Sequence, residues 1–427
     1  MISRDKRATK LAGDRPRSGG AATLACWLAA AGGTWAQDAP PPSPALPESP
    51  RALQTGDANR TDWTVLPEGS SAAPTDSYPL RWGPIRARPH LDYLFVYGDG
   101  VPSRPGRTLT TVVNQFSPGV LFEVGRHWVL DYTPILKFYS NKEFRDTLDH
   151  SVVLRGNTTY EDWRFGLVQG YRSASDPLIE TSRQTDLQDF TTGINAAHFL
   201  NSKVSLTLGV NQNIRLAEQF TSSTEWSVGD WLDYHFGPGL TLGLGCGVGY
   251  VDVDEGSNMA YEQVQGRIDL RATEKFSFQF QAGGEARQFL DSDEPTLFNP
   301  IFSGRMKYVP FELTTLSLWA KRNVSVSYFE NQVYESTELG GGLRQRLLQS
   351  FYLDLSGGYR LVKFVATAAQ TAVDREDNHT FFRVGLSRSF LKNGTLTAFY
   401  HFSNNDSKQN DFSYSSSQVG FAIGYRF

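Results

Sequence analysis

The 427-residue chain carries 41 Lys and Arg against 45 Asp and Glu, a formal net charge of -4, with its basic residues dispersed rather than run together. That balance leaves no broad electrostatic footprint for nucleic acid. Mean hydropathy is -0.37, and beyond the N-terminal segment no uninterrupted apolar run approaches the ~18 residues a membrane helix needs, which excludes a helical membrane protein. Aromatic residues at 13%, 39 glycines and only 3 methionines favour strands and tight turns over helix packing.

Residues 1–18 carry Arg4, Lys6, Arg7, Lys10, Arg15 and Arg17, followed by the apolar stretch Ala21 to Ala31 and then Thr34-Trp35-Ala36. A basic head, a short apolar body and small residues at the exit read as a secretory signal, residues 1–36, with cleavage after Ala36. Leu24-Ala25-Cys26 is partly lipobox-like, but Thr23 stands where an aliphatic is wanted, so Cys26 reads as a small apolar residue of the signal. Its removal leaves Cys246 alone and the mature chain without an internal disulfide. Residues 37–78 hold Pro40, Pro41, Pro42, Pro44, Pro47 and Pro50 and then a polar stretch to Tyr78. Such composition buries too little apolar surface to offset ordering entropy and reads as an extended linker in the periplasm.

The remainder, residues 79–427, has a period of two from Arg86 onward. Val204, Leu206, Leu208 and Val210 alternate with Ser205, Thr207, Gly209 and Asn211. Leu242, Leu244, Cys246, Val248 and Tyr250 alternate with glycines at 243, 245, 247 and 249. The same rhythm recurs at Phe276 to Gly283, at Phe351 to Arg360, and at Val419, Phe421, Ile423, Tyr425 and Phe427. A soluble sandwich also alternates, but repetition along the whole chain without a helical segment points to a membrane barrel, because only helices and closed barrels satisfy every backbone amide in a bilayer. The expected fold is all-β: an antiparallel up-and-down transmembrane β-barrel of about eighteen strands, with boundary errors leaving sixteen or twenty open.

Tight links are expected at Gly125-Arg126, Glu161-Asp162, Asn201-Ser202, Gly237-Pro238-Gly239, Glu274, Glu312-Leu313, Gln349-Ser350 and Lys392-Asn393-Gly394. Long polar links are expected around 141–149, 173–188, 220–224, 252–258, 291–297, 367–378 and 403–412. Short turns alternating with long loops is the outer-membrane arrangement, with turns in the periplasm and loops outside. An even strand number puts both ends in the periplasm, where the last aromatic strand, with Tyr425 and Phe427, serves as the signal read by the barrel-assembly machinery. Trp128, Tyr132 and Phe138 share one face, as do Trp163, Phe165 and Tyr171, which fits interfacial girdles. Gly243 to Gly249 leave a side-chain-free wall, either to admit a plug or, the preferred reading, to permit curvature.

The faces opposite the apolar ones carry Arg164 and Arg172, then Arg267, Asp269 and Arg271, then Arg305 and Lys307, Arg344 and Arg346, Arg360, Arg383 and Arg426. Rows of Arg in a pore favour anions, while the bland account is a set of wall salt bridges with Asp131, Asp269, Glu285, Glu338 and Asp354. No phosphate-cradling loop, metal-spaced His pair, Cys pair or Gly-x-Ser-x-Gly elbow is present, so no catalytic residue, metal or cofactor is expected. His379 and His401, beside Asp and Ser, are the positions an outer-membrane hydrolase would use and read more simply as polar loop residues. Asp252, Asp254 and Glu255 hint at calcium, but Gln263 and Ser257 stand where a calcium loop needs Glu and Gly, leaving a solvated acidic turn.

Trp82-Gly83-Pro84-Ile85-Arg86-Ala87-Arg88-Pro89, then Leu91, Tyr93, Tyr97-Gly98-Asp99-Gly100 and Ser117-Pro118-Gly119 resemble the opening of a broad class of uncharacterised porin-like outer-membrane barrels associated with exopolysaccharide or exosortase systems. The resemblance covers the first three strands and the aromatic last strand; Gly98-Asp99-Gly100 departs from the Asp-Asn that many such proteins carry after the Tyr. It implies an outer-membrane barrel with polysaccharide traffic and supplies no catalytic residue. The expectation is therefore a channel in the outer membrane of a Gram-negative-type bacterium, in contact with lipid and lipopolysaccharide, passing small or polymeric solutes, preferentially anionic. The alternatives are a closed structural or adhesive barrel whose loops bind surface polymer, and an outer-membrane hydrolase.

Overall fold

The computed structural model describes residues 80–427 apart from Asp291, Gln349, Ala369, Gln370, Ala372 and Lys392. The signal segment 1–36 and the linker 37–78 with its prolines therefore lie outside the described residues. A short strand β1 (Leu80–Trp82) folds back on the start of β2 (Ile85–Arg104). The wall then runs through β3 (Arg107–Val124), β4 (Trp128–Tyr139), β5 (Thr147–Tyr160), β6 (Trp163–Leu178), β7 (Arg183–Phe199), β8 (Val204–Ala217), β9 (Ser223–Gly237) and β10 (Leu240–Val253). It continues through β11 (Met259–Thr273), β12 (Phe276–Phe289), β13 (Leu297–Phe311), β14 (Thr314–Val326), β15 (Gln332–Leu347), β16 (Phe351–Ala366), β17 (Glu376–Phe390), β18 (Gly394–Ser407) and β19 (Tyr414–Arg426).

Each strand from β2 to β19 is antiparallel to the next, and β19 returns to β2 in a register from Ser417↔Asp99 to Arg426↔His90, closing an 18-strand up-and-down barrel. Closure removes both sheet edges, so no end strand is left with a full row of unpaired amides. The eight expected tight links are the turns at the end of the barrel that also holds Ile85 and Arg426, the near end below. The far end carries the longer connections together with a two-residue turn between β2 and β3 that the sequence reading did not expect, and departs from expectation in two further places. The segment 173–188 is mostly strand, pairing Ser173↔Gln188 through Leu178↔Arg183, with only residues 179–182 as a turn. Its Ser, Asp, Thr and Gln residues read as a loop because sequence cannot tell polar groups in water from polar groups satisfied inside a barrel. The connection 327–331 was missed because its Tyr328 and Phe329 look like strand residues.

The two faces are separated by exposure and contact. Leu244 is 72% exposed, Val264 69%, Phe298 76% and Leu339 63%, all on one face by register. Trp128, Tyr132 and Phe138 join that outer face, as do Trp163 and Phe165, whose rings stack at 5.8 Å. An apolar surface of that extent on a closed barrel is stable only against lipid. The other face is identified by contacts that span the barrel: Arg215 on β8 donates to the Val326 carbonyl of β14 at 3.2 Å, with β9 to β13 intervening around the wall.

Candidate functional site

Two features occupy the interior: a charged wall toward the near end and a set of far-end segments that meet across the mouth. On the wall, the residues singled out from sequence share the interior face by register. Arg267 and Asp233 both stand opposite Gly243. The Arg267 Nε donates to Asp233 at 2.7 Å, a second bond runs from Nη2, and the guanidinium lies 4.4 Å from the Trp231 ring centroid. A Cβ at Gly243 would sit 2.8 Å from Arg267 Cγ, so glycine lets this pair bridge from β11 to β9 across β10. The Trp231 ring covers Gly245 and the Tyr261 ring covers Gly249 in the same way. The glycine row is thus overlaid by neighbouring side chains, an account that neither the plug nor the curvature reading anticipated.

Several wall cations are compensated. Arg360 pairs with Glu338 at 2.7 Å, and Glu338 also accepts from Trp319 Nε1 at 2.8 Å. Arg344 stands 3.7 Å from Asp354 and 4.9 Å from the Tyr352 ring; Arg346 approaches the same ring at 5.9 Å. Arg164 lies over Phe199 at 4.6 Å and Arg383 over Phe399 at 5.1 Å. By contrast Arg271, Arg305 and Lys307 are exposed and have no ion-pair partner within 4.0 Å among the described residues. They come from β11 and β13 on either side of Ser277 and Gln279 of β12, and Asp269 shares their face two residues from Arg271. Exposed side chains on an interior face mean that solvent reaches the near half of the barrel. His379 and His401 also face inward, in register with Arg360 and Arg383, rather than standing on a rim loop.

At the far end, the β6–β7 tip reaches across the barrel. The Glu180 carboxylate accepts the Ser327 hydroxyl at 2.5 Å and the Tyr328 amide at 2.8 Å, both from the β14–β15 connection. Arg375, ahead of β17, donates to the Glu180 carbonyl at 2.8 Å, grips Asp377, and lies 3.6 Å from the Phe412 ring centroid beside β18. Arg215 donates to the Ser327 carbonyl at 3.2 Å and stacks on Tyr328 at 4.2 Å. Leu178, Leu187, Ala217 and Tyr328 form one buried apolar cluster there. A second joins Val251, Val253 and Met259 of one wall to Val333, packed with Val324 and Val365, of the other. The root of the β6–β7 hairpin is held by Lys137, which pairs with Asp149 at 2.9 Å and with Asp176. Burial raises the Glu180 pKa above the ordinary 4.5, opposed by its bond from Ser327 and by Arg375 and Arg215. Sequence offered no sign of this convergence, since each partner comes from a different connection.

Tyr425 and Phe427 point outward beside the β19–β2 seam, their rings edge to face at 4.9 Å, and the Phe427 amide bonds the Pro89 carbonyl at 3.0 Å. Arg426 turns inward to Asp92 at 2.8 Å.

Fold and interior together define a transmembrane β-barrel with a solvent-accessible, cation-bearing near half and a crossed far mouth. No family model and no curated protein matches the chain. Among solved structures the chain is similar to Pseudomonas aeruginosa OccK2 (OpdF) in complex with glucuronate, at 12% identity over 80% of this chain and 98% of that one, TM-score 0.44. It is also similar to OccK1 (OpdK) of that organism, at 10% identity over 80% and 98% of the two chains, TM-score 0.45. OccK11 (OpdR) of the same organism is 14% identical over 80% of this chain and 96% of that chain, TM-score 0.43.

Proposed function

We propose that the protein is an outer-membrane channel for small or polymeric anionic solutes, with the near end in the periplasm and the far end outside. The observation that carries this reading is the trio Arg271, Arg305 and Lys307: exposed, on the interior face, and without a compensating carboxylate in contact among the described residues. Fixed cations lining a water-filled, low-dielectric passage raise the local anion concentration and lower the barrier for anions relative to cations. Arg164, Arg267, Asp269, Arg344, Arg346 and Arg383 line the same passage in this reading, the paired ones stiffening the wall while they shape its potential. The resemblance of the opening strands to porin-like barrels of exopolysaccharide systems makes acidic sugars and their polymers the first solutes to test. Insertion depends on the barrel-assembly machinery reading the aromatic strand that holds Tyr425 and Phe427, and the outer belt contacts lipid and lipopolysaccharide.

The test is the reversal potential of open events in planar bilayers under a potassium chloride gradient. The native protein should favour chloride, and Arg271→Gln with Arg305→Gln and Lys307→Gln should remove most of that preference. An unchanged reversal potential in the triple variant would overturn the assignment. A second reading, a sealed structural barrel, is favoured by the contacts across the far mouth, from Glu180 to Ser327 and from Arg215 to Val326. Absence of any steady current would select it.

A further inference from the structure

We propose that the β6–β7 tip, residues 179–182, is a latch that shuts the outer mouth of the channel, with the Glu180 side chain as the key that must leave its seat before solute can pass. The proposal rests on the channel reading above and assigns that channel a regulated entrance.

The geometry carries it in three steps. First, the tip is tied to segments on the opposite side of the barrel, so the contacts cannot be those of neighbouring strands. Glu180 bonds Ser327 and Tyr328 between β14 and β15, while β8 to β13 occupy the wall between. Second, several far-end connections converge on that one node. Thr221, between β8 and β9, donates its amide to the Tyr328 carbonyl at 3.0 Å, and Thr367, after β16, donates to the Asn331 carbonyl at 2.8 Å. The Ser257 hydroxyl, between β10 and β11, reaches the Thr367 carbonyl at 3.1 Å. Third, the node is polar at its centre. A carboxylate with no accessible surface, seated among a hydroxyl, an amide and the guanidinium groups of Arg215 and Arg375, is stable only while those partners stay in place. An apolar seal would tolerate sliding; a buried carboxylate has one seated arrangement and a hydrated one, which makes the mouth two-state.

Ser182, Gln219 and Asn331 hold left-handed backbone conformations, with φ of 52°, 67° and 55°, at the corners of three of these connections.

Single-channel recording of the purified full-length protein tests the latch, with Glu180→Lys, Glu180→Gln and a variant whose residues 178–183 are replaced by two glycines. Resistance of each unheated barrel to detergent on a gel confirms that it is folded. Glu180→Lys places an ammonium against Arg215 and Arg375 and removes the acceptor for two hydrogen bonds. Each such bond to a charged group is worth about tenfold or more, so the open fraction should rise on the order of a hundredfold. Glu180→Gln keeps an acceptor and should stay closed. A native protein already open, with Glu180→Lys unchanged, overturns the latch and leaves the channel reading standing. Current from the shortened variant with none from Glu180→Lys also overturns Glu180 as the key. Silence from all the folded variants, the shortened one included, overturns both readings.

Discussion

Arg267→Gln offers the sharpest test of how the wall is built. Arg267 binds Asp233 through Nε at 2.7 Å and through Nη2, with side-chain exposures of 19% and 4%, and its other face is taken by Trp231 at 4.4 Å. Removing one partner of a buried pair costs roughly 3–5 kcal/mol, because the remaining charge loses its compensation. Since Arg267 is partly hydrated, the lower end applies, and loss of the cation–π contact adds roughly 0.5–1 kcal/mol. The expected destabilisation is therefore about 3.5–4 kcal/mol. Asp233→Asn added to Arg267→Gln replaces the pair with two amides able to bond each other and should recover roughly half of that. Gly243→Ala leaves both charges present, but its Cβ would stand 2.8 Å from Arg267 Cγ, so it should break the same bridge from outside the pair. The assay is urea unfolding of the vesicle-inserted barrel, followed by tryptophan fluorescence with Trp231 at the site. A double variant as unstable as the sum of its singles, or a Gly243→Ala barrel as stable as the native one, would refute the bridge.

Three further outcomes are expected. Val264→Arg should cost roughly 2–4 kcal/mol in the same unfolding assay, while Gln265→Arg, one residue on and facing inward, should cost little; equal effects would invert the assignment of faces. The Glu180 pKa in the closed mouth stands above 4.5, so the closed state holds its proton more tightly than an open, hydrated one. Closure should be strongest below pH 4.5 and weaken as pH rises through the closed-state value, giving an open fraction that climbs toward neutrality; Glu180→Gln should abolish that slope, and a slope of the opposite sign would refute the linkage. Phe427→Ala should slow insertion by the assembly machinery, read as the fraction of detergent-resistant barrel after a fixed time, and an unchanged fraction would remove its assembly role.

Sequence by itself determined the wall. A period of two sorts each side chain to one of two faces, and a row such as Leu242, Leu244, Cys246 and Val248 beside four glycines can sit in only one orientation in lipid. The eight near-end turns were legible for the same reason: seven interrupt the alternation with Gly, Asn, Asp or Glu within a few residues, and the eighth, after Leu347, with Gln349 and Ser350. That Arg267, Arg305 and Arg344 share one face followed from that alternation as well. Their partners did not, because Arg267 meets Asp233 across an intervening strand, and that choice depends on the register between strands rather than on local pattern. The far mouth was decided by tertiary structure alone. Glu180, Arg215, Tyr328 and Arg375 are separated by long stretches of chain, and a polar tip that folds inward has the same composition as one that stands in water. Periodicity reports which side of a sheet a residue occupies; where the strand ends turn depends on groups brought together only once the sheet has closed.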